Sequence, residues 1–509
     1  MPRFRRLSRI GRALLATATA VATPACNALF GIDGLGPTSP PGGGGTGALS
    51  SGPASTGAGG AGAGGAGGGG GGGADAVPRG FTTLWSKRFG DGANSRVLAM
   101  ATGGDDNIWI AGEFRGQLDL GGGALIATLY DGFVAKLSPD GGHLFSERLG
   151  GSTDSDSLAA LAMSADGPIV AGRYSSGSLQ AAYGGKTLPF SVGVSGVVLK
   201  LDGTGSTKWF VTLPGDDVLV KAVVALDYDA VVTGTFSGGL FGAVAQGRDA
   251  FLARVGKNGL VWLKHFVGDG EDQFGEALAV SGLGNIVLAA TLRGSAEFGD
   301  GTVLTSAGGE DIVLVVYSPD GKVLLAPKRF GGDDHQRVRG MQCPYQTCYL
   351  TGEMRSDLDL GHGTMTSAGV EDVFVAELGS GGALWSHRFG DTDSQKGIAL
   401  AERAGRLVLT GKLEGGINFG GGPLQGMGVD DDIVVAELSA GGGAHVASQA
   451  WGSPEDDGAN AVAIDSAGDI LIAGEFSSTL DFGLGPLVSA GGSDCFVAKL
   501  RLAEPRGLP

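Results

Sequence analysis

Carboxylates recur at one place in this chain. They follow, within a few residues, a glycine that closes a phrase repeated seven times: Asp91; Asp154 and Asp156; Asp216 and Asp217; Asp269, Glu271 and Asp272; Asp333 and Asp334; Asp391 and Asp393; Glu455, Asp456 and Asp457. Hard oxygen ligands gathered on one rim could attract calcium or a basic partner. The candidate metal ligands are Asp269, Asp272, Asp333, Asp334, Asp456 and Asp457. Against this, no loop has the ligand spacing of a calcium-binding hand or a Gly-x-Asp repeat, and the same residues suit ordinary Asp-Gly and Asp-Ser turns that keep the molecule soluble. No cofactor other than calcium is indicated.

Of the six histidines, His335 follows Asp333 and Asp334 in a rim loop and is the one to watch. His265 and His387 take slots that Arg88 and Lys87 occupy in the first copy, so both are expected at the surface. None stands beside a Ser or Cys in a recognisable nucleophile motif. No catalytic residue is assigned. Two function classes remain: a binding or structural module of the cell envelope, and an envelope polysaccharide lyase or hydrolase with a central funnel site. A pocket joining His335 to several rim acids would favour the enzyme.

These residues hang on a repeat of roughly 60 residues, a period that points to a propeller or solenoid. Its first phrase is Leu84-Trp85-Ser86-Lys87-Arg88-Phe89-Gly90, and the closing glycine recurs at Gly150, Gly215, Gly268, Gly331, Gly390 and Gly452. The second ends in Ala111-Gly112-Glu113-Phe114, with its glycine at Gly172, Gly234, Gly352, Gly411 and Gly474 and Ala290 in the remaining copy. The third is Asp131 to Leu137. Between glycine-rich breaks lie apolar runs of strand length, too short for helices. The last copy lacks its fourth strand, while an unmatched fourth-strand phrase stands at Leu84 to Phe89. The expectation is all-β: a seven-bladed propeller of four-stranded antiparallel blades, closed by the N-terminal strand. Closure removes sheet edges, and an open array would need polar caps that are not apparent.

Ala461 to Phe476, Leu480-Asp481-Phe482-Gly483 and Gly491 to Leu500 together resemble the bacterial SBBP-type seven-bladed β-propeller repeats. The resemblance covers about residues 81 to 500 and implies architecture, since such repeats occur in surface and secreted proteins without a common activity. The second and third copies depart most; in the second, Ser195-Gly196 replaces the Asp-led start of the third strand. Elsewhere Asp131, Asp249, Asp311, Asp372, Asp432 and Asp494 hold that slot, which argues for a structural bond to turn amides. Trp85, Trp209, Trp262 and Trp385 share a fourth-strand slot and are expected to pack between blades.

The N-terminus addresses location. Arg3, Arg5, Arg6, Arg9 and Arg12 precede the mostly apolar run 13–22 and then Thr23-Pro24-Ala25-Cys26, which looks like a signal peptide over 1–25. Cys26 is the expected lipidation site, and the segment from Cys26 to Asp33 resembles envelope lipoproteins of myxobacteria. Thr23 stands where such sites usually have Leu. Ordinary secretion is the alternative to anchoring in the outer membrane. Residues 26–79 form a lipidated start and a Gly/Ser/Pro-rich tether, and residues 80–509 the propeller domain.

Cys343 and Cys348 flank a first-to-second strand turn, and a disulfide would staple it in an oxidising compartment. Cys495 reads as a buried small hydrophobe. Loss of residues 1–25 moves the formal charge from −17 to about −22. Such a chain repels nucleic acid. The expected partner is an envelope protein or glycan, the membrane is touched only through lipid, and the domain is expected to be a monomer.

Overall fold

The computed structural model describes residues 80–504, apart from 152–154, 176–181, 190–192 and 380. The expected signal peptide, Cys26 and the tether lie outside the described residues. Among the described residues seven four-stranded antiparallel sheets form the blades, accompanied by five two-stranded sheets. From first to fourth strand, blade 1 is Ser95–Thr102, Ile108–Asp119, Ala124–Leu137 and His143–Leu149. Blade 2 is Ser157–Ser164, Gly167–Ser175, Val194–Leu201 and Thr207–Leu213. Blade 3 is Gly215–Leu226, Asp229–Leu240, Ala243–Gly256 and Gly259–Phe266. Blade 4 is Gln273–Val280, Ile286–Leu292, Asp311–Tyr317 and Val323–Phe330. Blade 5 is Gln336–Gln342, Cys348–Met354, Asp372–Gly379 and Gly382–Phe389. Blade 6 is Gln395–Arg403, Arg406–Leu413, Asp432–Ser439 and His445–Trp451. Blade 7 is Asp457–Ile464, Ile470–Phe476 and Asp494–Leu502, completed by Phe81–Phe89.

Phe81 pairs with Leu502 and Phe89 with Cys495, so the first described strand is the outer strand of the last blade. Each first strand packs against the first strands of both neighbours, and the series returns from Asp457–Ile464 to Ser95–Thr102. The ring is closed. Alternating side chains feed different layers: Phe496, Ala498 and Leu500 join the cluster shared with blade 6, while Cys495 and Val497 join the one shared with blade 1. Seven such clusters, one per inter-blade gap, replace a single core. Pro327 falls in an outer strand, where a missing ladder donor is tolerated.

The structure explains the repeated phrases. A Cβ on Gly452 would stand 1.6 Å from Asp432 Oδ1, and one on Gly390 1.9 Å from Asp372 Oδ1, so the glycine of the first phrase exists to admit the aspartate of the third. That aspartate accepts from turn amides, as in Ala307 N to Asp311 (2.6 Å) and Ala490 N to Asp494 (2.9 Å). In five blades it has a second partner, not expected from sequence, while in blade 6 the slot opposite holds Ala450. Arg148 reaches Asp131 at 2.7 Å, Arg329 reaches Asp311 at 2.6 Å, and His265 Nε2 lies 2.6 Å from Asp249. His265 is therefore largely buried, against expectation, and His387 is half-buried, its ring stacked on Trp385 at 5.3 Å. In blade 2 both partners change together, with Ser195 for the acid and Thr212 for the base. The Leu480 to Gly483 phrase is also structural: Asp481 accepts from Gly483 N (2.7 Å) and Gly485 N (3.1 Å), while Leu480 and Phe482 are buried.

Cys343 and Cys348 are disulfide-bonded across the first turn of blade 5. Cys495 is fully buried, and burial pushes its thiol up, out of the nucleophilic range.

Candidate functional site

Every first strand carries a bulge at the same height. The residues left without a cross-strand partner are Leu98, Ala159, Lys221, Glu276, Arg339, Ile398 and Asn460. In six blades the second-phrase glycine makes room for the bulge, and in blade 4 Ala290 stands there opposite Gly275. A Cβ at Gly474 would meet Gly458 O at 1.8 Å and one at Gly352 would meet Arg337 O at 1.9 Å, so the glycine accommodates the kinked inner strand. Six of the seven bulge residues line an axial cavity of about 230 Å³. The repeat thus presents one variable residue per blade to the axis on an otherwise alanine-rich wall.

The bulge residues and the start of each inner strand build a charged collar at the end of the ring where the rim loops emerge. Arg96 holds Glu113 at 2.6 Å, Lys221 holds Glu276 at 2.9 Å, and Arg339 holds Glu353 at 2.7 Å. Glu371 takes both Arg355 (2.6 Å) and Lys396 (3.1 Å). Burial works against the charge of Arg339, yet Glu353 raises its guanidinium above the ordinary value. Burial likewise opposes ionisation of Glu371, but Arg355, Ser394 and Lys396 hold its carboxyl below the usual range.

Glu475 breaks this pattern. It occupies the Glu113 slot in blade 7, but Gly458 stands opposite where blade 1 has Arg96. The bulge residue beside it is Asn460, which donates to it from Nδ2. Burial pushes Glu475 above the ordinary carboxylate range, with Lys412, Asn460 and Arg96 pulling the other way. Where a guanidinium is missing, the wall opens. A polar cavity of about 930 Å³ is lined by Arg96, Glu113, Arg173, Lys412 and Glu475, with Glu455, Asp456 and Ser478 at its exposed lip.

The rim acids sit on the same end but serve other ends. Asp269 accepts from Ser295 N at 3.0 Å, Asp391 from Gly416 N at 2.7 Å and Asp91 from Gln117 N at 3.3 Å, each tying an inter-blade connection to the next blade's hairpin. The carbonyl of Asp272 accepts from Arg293 N at 3.2 Å, and Asp333 lies against Gly308 through its backbone. Asp334 accepts from His335 N at 2.9 Å, and Asp456 from Asp431 N at 3.3 Å. Asp457 is buried, accepts from Ser477 N at 3.0 Å, and burial pushes its carboxyl up to about 6. Five of the six candidate ligands fall in three different inter-blade connections, and Asp457 begins the first strand of blade 7. Among the described residues no three His, Cys, Asp or Glu side chains come together to hold a metal ion. His335 lies 3.6 Å from Glu310 and 3.5 Å from Asp334, and does not line the polar cavity.

Sequence reasoning passed over Glu113, Glu353 and Glu475 because they were read as part of a structural phrase. The available signal was an acid between buried apolar neighbours in a second strand, facing a basic residue in some copies and a glycine in one.

No protein-family description matches the chain. No curated protein matches it either. Among known structures it is similar to the WD40 β-propeller domain of Doa1, with 12% identity over 83% of this chain and 97% of that one at a TM-score of 0.42. It is also similar to the quinohemoprotein alcohol dehydrogenase ADHIIG of Pseudomonas putida HK5 (12% identity, 84% and 78% of the two chains, TM-score 0.40). A third is Sqt1 of Chaetomium thermophilum (13% identity, 82% and 86%, TM-score 0.38).

Proposed function

We propose that this chain is a binding module of the bacterial cell envelope, displayed on its Gly/Ser/Pro-rich tether from a lipidated Cys26 and built from SBBP-type repeats. It engages an envelope protein or glycan at the rim-loop end of the ring. The observation that carries this reading is the cavity of about 930 Å³ with an exposed polar lip. Most charges in the collar are already paired, so they offer fixed hydrogen-bonding groups rather than free charge. That suits a hydroxyl-rich or polar-loop ligand. Asp269, Asp334 and Asp456 already accept from loop amides, so chelation of calcium is expected to leave binding unchanged. The test is capture of an envelope glycan or protein by the parent and not by a lip variant carrying Glu455→Lys and Asp456→Lys. No capture by either would sink the reading.

One observation favours the alternative, a glycan-cleaving enzyme. Glu475 is a carboxyl held above its ordinary range inside a cavity, the condition a general acid requires. Turnover of envelope polysaccharide that is abolished by Glu475→Gln while binding persists would establish it.

A further inference from the structure

In four blades the aromatic residue three positions before the outer-strand base slot lies beneath a turn of the next blade. A Cβ on Gly141 would stand 3.1 Å from Trp85, one on Gly205 2.6 Å from Phe145, one on Gly321 3.2 Å from Trp262 and one on Gly443 2.8 Å from Trp385. Three of these indoles donate to the covering turn, Trp85 to Pro139 O (3.2 Å), Trp262 to Pro319 O (3.2 Å) and Trp385 to Ala440 O (3.0 Å). Where the next turn is short, as in blade 5 with Gly379 paired to Gly382, the preceding blade carries Ala326 instead. Aromatic and lid come and go together.

Trp209 is the exception. Blade 3 pairs Gly256 with Gly259, leaving only Lys257 and Asn258 in its turn, and it pairs Leu226 with Asp229 in the neighbouring one. Both turns are too short to cover the ring, and among the described residues the Trp209 indole N–H has no protein acceptor. The space is a cavity of about 530 Å³, lined by Trp209, Tyr228, Lys208, Asp229, Lys257 and Asn258 among others. It lies on the end of the ring opposite the charged collar. Tyr228, at the tip of its two-residue turn, is 87% exposed. Asp166 is taken by Lys200 (2.8 Å) and Lys208 (2.5 Å), and Asp229 by Arg254 (2.8 Å). Lys257 is exposed, and no described group pairs with its charge.

We infer that the cleft between blades 2 and 3 is a second binding site, for a carboxylated pyranose unit of a glycan. Its size falls in the range of small-ligand sites, in which a few polar groups orient a ligand on apolar walls. The faces of Trp209 and Tyr228 take the C–H side of a sugar ring. The indole N–H and the Asn258 amide meet hydroxyls. Lys257 meets the carboxylate, in a chain whose net charge would otherwise repel one.

The test is calorimetric titration of the full chain with methyl β-glucuronide, and with methyl β-glucoside as the uncharged counterpart. Saturable binding of the glucuronide is expected, weakened roughly tenfold or more by Trp209→Ala. Tyr228→Ser must weaken it too; that side chain stands in solvent, so its loss cannot act through misfolding. Lys257→Gln should weaken the glucuronide several-fold and leave the glucoside unchanged. Absence of saturable glucuronide binding, or binding indifferent to Trp209 and Tyr228, would overturn the site. Equal affinity for the two glycosides would overturn the carboxylate assignment.

Discussion

Arg88 donates to Asp494 at 2.5 Å, joining the first described strand to the last across 406 residues of sequence. The same bond in blade 1, Arg148 to Asp131, spans only 17 residues. Asp494 is fully buried and Arg88 about one-third exposed, so removing the base strands a buried carboxylate. Arg88→Ala is predicted to cost about 2–3 kcal/mol in urea unfolding. It should also release the strand Phe81–Phe89 to limited proteolysis before any other segment. Arg148→Ala should cost a similar amount without that selective release. Equal protection of the first strand in both variants would count against closure through this pair.

The second-strand glycines give a sharper test of the inner bulges. Gly474→Ala places a methyl 1.8 Å from Gly458 O and is predicted to destabilise by about 3 kcal/mol or more. Blade 4 already carries Ala290 there, opposite Gly275, and Ala290→Gly should cost only about 1 kcal/mol. Thermal unfolding of the two variants checks the contrast.

The Cys343–Cys348 disulfide closes a loop of five residues' separation. A loop so short gains little chain entropy from the link, so the double Cys→Ala variant is predicted to lose about 2 kcal/mol and to keep the fold. Circular dichroism and urea midpoints, with and without reductant, decide this. Loss of folded protein would mean that the turn organises blade 5 more than its length suggests.

Asp457 sets a pH dependence. Burial pushes its carboxyl up to about 6, so between about pH 4 and pH 6 the folded chain binds its proton more tightly than the unfolded chain does. Its contribution to stability therefore falls as pH rises through that window and stays flat above it. The full span is at most about 3 kcal/mol. Asp457→Asn should remove this component of the slope and stand above the parent in stability at pH 7, because an amide oxygen can still accept from Ser477 N. A variant less stable than the parent at pH 7 would show that the ionised carboxylate is the form the fold requires.

The ring was legible in the sequence because closure reuses one phrase. Leu84 to Phe89 matches Leu384 to Phe389 at every position but His387, and the fold pairs it with the strand that begins at Asp494. The cysteine turn was legible for the same reason, by aligning Gly352 with Gly474. The collar was not. Bulge residues such as Lys221, Arg339 and Asn460 differ in type from blade to blade, so a reading built on recurrence discards them. Recurrence instead drew attention to the rim acids, several of which tie an inter-blade connection to the next blade's hairpin. The base partner of the third-strand aspartates was hidden in another way, since Arg148 and Asp131 meet only once the outer strand pairs back on the third.

The most direct measurement compares two charge-reversed forms of the chain for capture of envelope components, each made, like their parent, on a Trp209→Ala background that silences the second cleft. One carries Glu455→Lys and Asp456→Lys at the polar lip. The other carries Asp140→Lys and Asp320→Lys, on exposed turns at the opposite end of the ring. The parent and the opposite-end variant are predicted to retain the same partner while the lip variant loses it, with matching unfolding temperatures for all three. Retention by the lip variant, or loss confined to the opposite-end variant, would contradict binding at the rim-loop end.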